Sequence, residues 1–248
     1  MRVLDLFSGI GGFTLGLERA GMETIAFCEI DPFCRRILRK HWPRITIHNN
    51  IKKLDGRDYE GRIDLVCGGF PCQPFSQAGK QAGAGDDRFI WPEMYRVIKE
   101  AKPNWVLGEN VSGLVNLELD AMLSDLEEAD YTPRAFIIPA CGVDAPHKRN
   151  RTWVVAHRNN SRQRTGQGEG GSSGESEEGD HARGSNTALP HERQYNPSPA
   201  IWGDEPRVPR ISDGVSNRMD RIRSLGNSVV PQIVEHLGKL ILIADKSV

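Results

Sequence analysis

No stretch of this 248-residue sequence is long and apolar enough to cross a bilayer. The longest strongly apolar run is Leu240–Ala244, against the roughly 20 residues a spanning helix needs. Cysteine is scarce and unpaired. The five residues Cys28, Cys34, Cys67, Cys72 and Cys141 are odd in number and form no Cys-x-x-Cys pair, which argues against a disulfide framework and against a zinc site. There is no excess of one charge: 32 Lys and Arg against 33 Asp and Glu give a net charge of −1, so binding to an acidic polymer is not announced by bulk charge. Internal repeats are absent. Met1–Asp5 has no basic region followed by an apolar stretch, so no secretory leader is expected and the expected compartment is the cytoplasm.

What is present is an alternation of short apolar strands and helix-length segments, the pattern of a parallel α/β sheet. Candidate strands are Arg2–Phe7, Thr24–Glu29, Ile63–Gly68, Trp105–Asn110, Arg134–Ile138 and Thr152–Ala156. Asp31-Pro32 reads as a helix cap and first turn. Pro92–Ala101 and Leu114–Ala129 carry apolar stripes at helical spacing. The pattern stops after Ala156. From Arg158 to Thr187 only Ala182 is hydrophobic, too little apolar surface to offset the entropy of ordering. Helical spacing returns in Val230, Ile233, Val234, Leu237, Leu240 and Ile241, with Pro231 near the start. Three regions follow: a main domain over 1–156, a short variable region over 157–209, and a C-terminal segment over 210–248 whose helix must pack back on the main domain. Charge is also unevenly placed. Arg134 to Arg164 and Arg207 to Arg223 are basic, and Glu118–Asp130 and Glu169–Asp180 are acidic, so a neutral chain can still present a basic face to phosphates.

Two constellations carry chemistry. The first strand ends in Asp5-Leu6-Phe7-Ser8-Gly9-Ile10-Gly11-Gly12-Phe13 before a helix. A glycine-rich strand-to-helix turn lets a ligand approach the backbone closely. Thr14 stands where the dinucleotide fingerprint has its third glycine, so the turn suits a ligand without a pyrophosphate. Glu29, at the end of the second strand, is placed to accept from ribose hydroxyls. The second constellation is Gly69-Phe70-Pro71-Cys72-Gln73-Pro74. It puts Cys72 just past a parallel strand, where α/β sheets bind ligands, between two prolines that fix the backbone.

These strings, with Glu109-Asn110-Val111, His147-Lys148-Arg149-Asn150-Arg151 and Gly226-Asn227-Ser228-Val229-Val230-Pro231, resemble the cytosine-5 DNA methyltransferase family, in the family's order and over about 1–156 and 211–243. The resemblance implies an α/β, Rossmann-like sheet of the S-adenosylmethionine-dependent methyltransferases, with helices on both faces and a small irregular target-recognition region. It implies a methyl transfer to C5 of a cytosine flipped out of double-stranded DNA, by one copy of the chain acting without a membrane. Cys72 would attack C6 and make C5 nucleophilic. Glu109 would protonate or hydrogen-bond N3. Arg149 and Arg151, sharing a face, would hold the site and contact the base or its phosphate. His147 stands where the family has Gln.

For the cofactor, the resemblance assigns the turn residues Phe7, Gly9, Gly11, Gly12 and Phe13, together with Glu29, Ile30, Asn50, Ile51, Phe70, Asn227 and Ser228. Phe13 and Ile30 would flank the adenine, Glu29 would take the ribose, and Asn50, where the family often has Asp, would accept from the adenine amine. Gln77–Asp87 reads as a loop closing over the base. Target choice would reside in Ala156–Pro209, where Thr187-Ala188-Leu189 only approximates the family's Thr-Leu pair. A transfer-RNA cytosine-5 methyltransferase and a non-catalytic DNA-binding relative are the alternatives. A thiol oxidoreductase is disfavoured because Cys72 has no resolving partner at Cys-x-x-Cys spacing.

Overall fold

The computed structural model describes residues 1–70, 90–111, 118–159 and 218–247. Cys72, the Gln77–Asp87 loop, the strongly polar stretch after Arg158 and Thr187–Leu189 therefore lie outside the described residues. Among the described residues no helix is long and apolar enough to cross a membrane, and no cluster of His, Cys, Asp and Glu could hold a metal ion.

Seven strands form one sheet: β1 (Arg2–Leu6), β2 (Glu23–Cys28), β3 (Thr46–His48), β4 (Leu65–Gly69), β5 (Trp105–Val111), β6 (Tyr131–Pro139) and β7 (Asn150–Arg158), in spatial order β3-β2-β1-β4-β5-β7-β6. The helices are α1 (Gly12–Ala20), α2 (Pro32–His41), α3 (Trp91–Ala101), α4 (Glu118–Glu128), α5 (Arg218–Asn227) and α6 (Pro231–Asp245). The period-2 alternation of strand side chains sorts the core onto two faces. Leu4, Val66, Val106 and Val154 meet Met94, Val97 and Ile98 of α3 and Met122 and Leu126 of α4. Their neighbours Val3, Leu65, Leu107 and Trp153 meet Phe13 and Leu17 of α1 and Ile233, Val234, Leu237 and Ile241 of α6. Helices thus cover both faces, and central strands read as continuous apolar runs for that reason.

The sheet is mixed: β1 to β5 run parallel, as the strand–helix alternation indicated, and β7 is the exception. β7 runs antiparallel to both β5 and β6. The connection Ala140–Arg149 explains this: it holds only a 3-10 turn at Ala140–Val143, and a parallel crossover needs about a dozen residues or more, usually a helix. Two elements had no counterpart in the pattern. β3 has only three residues and pairs with β2 alone, while α5 is dominated by polar residues.

The C-terminal helix packs on the first one through small residues. A Cβ at Gly16 would sit 2.5 Å from the Pro231 carbonyl oxygen and 2.5 Å from the Val234 Cβ. Trp105 Nε1 donates to Asp245 at 2.9 Å and ties down the far end. Gly16→Ala should therefore destabilise the fold by about 1–3 kcal/mol despite the better helix propensity of alanine. Denaturant unfolding checks it, and an unchanged midpoint would show that the α1–α6 contact is loose.

Candidate active site

The chain leaves β1 through a strained reversal. Phe7 (φ 53), Gly9 (φ 53) and Gly11 (φ 89) all take left-handed backbone, costly for a bulky residue such as Phe7, at about 1–3 kcal/mol. The turn is held from below: Ser8 Oγ donates to the Asp5 carbonyl at 2.6 Å, Gly11 N to the Ser8 carbonyl at 2.8 Å, and Thr14 Oγ1 to Asp5 Oδ2 at 2.7 Å. Thr14, the residue that departs from the dinucleotide pattern, thus anchors the turn to a fully buried acid. Burial pushes the Asp5 carboxyl up to about 7. Gly12 is required by close approach: a Cβ there would meet Ser228 Oγ at 2.8 Å and Val229 Cγ2 at 2.9 Å.

Glu29 closes the turn from the side. Gly9 N donates to its Oε2 at 2.7 Å and Asp31 N to its Oε1 at 2.7 Å. Burial raises its carboxyl above the ordinary range, and the two backbone donors offset part of that rise. Both oxygens retain a lone pair for a hydroxyl donor. Asp31 caps α2 through Phe33 N at 2.7 Å, with Pro32 in the first turn. Its other oxygen takes Arg223 of α5 at 2.6 Å, so the C-terminal segment is fastened beside Glu29. Arg149 fastens it a second time, through Nη2 to the carbonyls of Gly226 and Ser228, each at 2.8 Å. Arg149 has φ 32, the second strained non-glycine residue on this surface.

At the other end, Gly69 stands in register with Glu109 across β4 and β5. A Cβ on Gly69 would come within 3.2 Å of Glu109 Oε2, so glycine leaves that oxygen room. Glu109 is only 8% exposed, and its Oε1 lies 3.0 Å from Arg151 Nε. Burial outweighs the pull of Arg151 and of Arg149 and pushes the carboxyl up to about 7. Asn110 Nδ2 donates to the Phe70 carbonyl at 3.1 Å, fixing the chain two residues before Cys72 in the sequence.

All this lines one pocket of about 740 Å³. Of the residues singled out from sequence, Phe7, Gly9, Gly12, Phe13, Glu29, Ile30, Asn50, Ile51, Phe70, Glu109, Arg149, Arg151, Asn227 and Ser228 line it. Gly11 does not; its Cα faces Trp42, 2.5 Å from where a Cβ would stand. Phe13 is a buried floor residue, edge-on to Trp153 with centroids 5.9 Å apart, whereas Ile30 is 72% exposed. The Asn50 amide oxygen accepts from Lys52 N at 2.9 Å, so one of its lone pairs is already committed to capping the 3-10 turn Ile51–Lys53. His147 is exposed and not among the pocket residues. Sequence reasoning did not assign Cys28, Cys34, Lys52, Ile90, Arg223 and Ser224 to the pocket, held Ile10 and Asn110 only as parts of motif strings, and saw Asp31 only as a helix cap. The adjacency of Asp31 to Glu29 was a usable signal; the contact of Arg223 with Asp31, 192 residues apart, was not.

A mixed seven-stranded sheet in this order, with a glycine turn opening into a pocket at the strand ends, defines the Rossmann-like fold of the S-adenosylmethionine-dependent methyltransferases. A crystal structure of a Spodoptera frugiperda DNMT2 mutant shares it, with a TM-score of 0.57 at 25% identity, covering 64% of this chain and 50% of that one. Residues 1–205 match the C-5 cytosine-specific DNA methylase family, and the chain belongs to that family. Type II methyltransferase M.Eco47II of Escherichia coli is 37% identical over 166 residues, 63% of this chain and 39% of the relative. Type II methyltransferase M.HhaI of Haemophilus parahaemolyticus is 31% identical over 164 residues, 64% of this chain and 50% of the relative. The matches thus span half or less of these relatives' lengths.

Proposed function

We propose that the chain transfers a methyl group to C5 of a cytosine flipped out of double-stranded DNA, in the cytoplasm, through a covalent bond between Cys72 and C6. One observation carries the reading: a single pocket joins the glycine turn and Glu29 to the buried Glu109–Arg151 pair.

The residues present fit S-adenosylmethionine. Gly12 lets the Ser228–Val229 segment close against the turn, where a Cβ would meet Ser228 Oγ, so that segment borders the same pocket. Glu29 keeps lone pairs for the ribose hydroxyls, and the apolar side chains of Ile30 and Ile51 suit a purine face. Asn227 and Ser228 would close this pocket from the C-terminal segment. When bound, this cofactor supplies an electrophilic methyl group.

The chain's own groups do the rest. Flipping the cytosine costs about a few kcal/mol of stacking and pairing. Cys72, as thiolate, adds to C6; the electron pair moves toward N3, and C5 gains enamine character. With its carboxyl at about 7, Glu109 can offer N3 a proton near neutral pH, which offsets the charge developing there. Arg151 orients that carboxyl through Oε1 and leaves Oε2 for the base. Once C5 is methylated, its proton passes to water, the Cys72 sulfur departs as thiolate, and N3 returns its proton to Glu109, which restores the aromatic ring.

The test is label transfer from S-adenosylmethionine to duplex DNA and, in parallel, to transfer RNA, followed by nucleoside analysis. The label should appear as 5-methylcytosine in the duplex. Label confined to RNA would overturn the DNA assignment.

A further inference from the structure

On that functional reading, we infer that Arg96 is a positioning residue for the cofactor, acting from α3 on a pocket wall it does not itself line. The wall is Asn50–Lys52. Its backbone forms one short 3-10 turn, Ile51–Lys53, internally capped by Asn50; so brief a turn makes few hydrogen bonds of its own, and the buried Ile51 and Leu54 side chains anchor it without fixing the direction of its carbonyls. Arg96 holds them. Nη2 donates to the Ile51 carbonyl at 2.7 Å and Nη1 to the Leu54 carbonyl at 3.0 Å. The guanidinium is itself aimed by two carboxylates: Nε donates to Glu93 Oε2 at 3.0 Å and Nη1 to Glu100 Oε2 at 2.7 Å. Glu100 Oε2 also accepts Gly56 N at 2.8 Å, so the same acid holds the chain beyond the wall. A planar fork with fixed donors can serve two carbonyls and two carboxylates together; a lysine cannot.

The helix that carries Arg96 buttresses the pocket at a second point. Ile90, which caps α3, lines the pocket, and Trp91 packs against Phe70 with ring centroids 5.5 Å apart. Trp91 is pinned in turn by its Nε1 to Asp125 at 2.7 Å. One helix therefore sets both the Asn50–Lys52 wall and Phe70. Loss of Arg96 releases only the first of these.

The experiment is calorimetric binding of S-adenosylhomocysteine to the wild-type chain, Arg96→Leu and Arg96→Lys, with thermal unfolding and duplex-DNA affinity measured on each. Arg96→Leu should bind the probe about tenfold more weakly or worse, the scale of losing charge-assisted hydrogen bonds. Arg96→Lys should fall between, and DNA affinity should stay unchanged in both. In turnover, the loss should appear in the cofactor KM, with kcat retained at saturation. A merely structural role would move DNA affinity and kcat alongside. A folded Arg96→Leu variant binding the probe like wild type overturns the inference. If that variant does not fold, Arg96→Lys decides, and wild-type affinity there overturns it. Failure of the wild-type chain to bind the probe would instead count against the functional reading.

Discussion

Cys72→Ser should abolish methyl transfer, by about 10⁴-fold or more, the scale expected when a nucleophile is removed from a group that acts as a unit. A serine hydroxyl has too little anionic form near neutral pH to add to C6, whereas a thiol is already a few per cent thiolate. Cofactor affinity should be unaffected, because the groups assigned to hold the cofactor are the glycine turn, Glu29 and the Asn50–Lys52 wall. The span from Phe70 to Cys72 is two peptide units, about 7 Å at most, and Phe70 lines the pocket that holds Glu109. Cys67 supplies the control. It is fully buried in β4, and burial raises its thiol well above the ordinary value. Cys67→Ala should therefore cost some stability and leave transfer intact. Rate measurements on the two variants, with binding of S-adenosylhomocysteine alongside, check both statements.

Glu109→Gln should lower kcat by about 10²–10⁴-fold, the range for a positioned general acid. The pH dependence gives the sharper test. The acting form is the protonated one, and the carboxyl sits at about 7, so wild-type transfer should fall as pH rises through neutrality. Glu109→Gln should lack that limb. Arg151 pulls the carboxyl downward while burial pushes it up, so Arg151→Leu should shift the limb to higher pH even as it slows the reaction. Stability follows the same sign. Asp5 and Glu109 both hold carboxyls raised to about 7 in the folded chain. Their favourable contribution is fully present below the ordinary carboxylate range and is lost as pH climbs through 7. Thermal unfolding between pH 5 and 8 should show this decline, and Asp5→Asn with Glu109→Gln should flatten it.

How much of this was legible beforehand depends on the range of the interaction concerned. The central strands were visible because β1, β2, β4 and β5 are apolar on both faces, and the cap of α2 because Asp31-Pro32 is a local signal. The reversal of β7 was readable only from the absence of a helix between it and β6. β3 offers three residues and one partner, too little for any periodicity. Within the site, Glu29, Glu109 and the glycine turn declared themselves by position at strand ends. The contacts that fasten them did not. Arg223 reaches Asp31 across 192 residues, and Arg149 reaches the Ser228 carbonyl across 79. A basic residue in such a string looks like any solvated charge until the fold brings its acceptor near. The direction of the Glu109 shift, by contrast, follows from its place at the end of the apolar strand Trp105–Gly108; the opposing pull of Arg151 and Arg149 depends on the fold.

The most direct measurement is denaturing electrophoresis and mass spectrometry of the chain incubated with S-adenosylmethionine and a duplex carrying 5-fluorocytosine. Fluorine at C5 cannot depart as a proton does, so the sulfur–carbon bond should persist. The account predicts a denaturation-resistant protein–DNA species, with the crosslinked peptide containing Cys72 and the species missing in Cys72→Ser. Methyl transfer to ordinary duplex by a wild-type preparation that forms no such species, or a crosslink mapping to another residue, would contradict it.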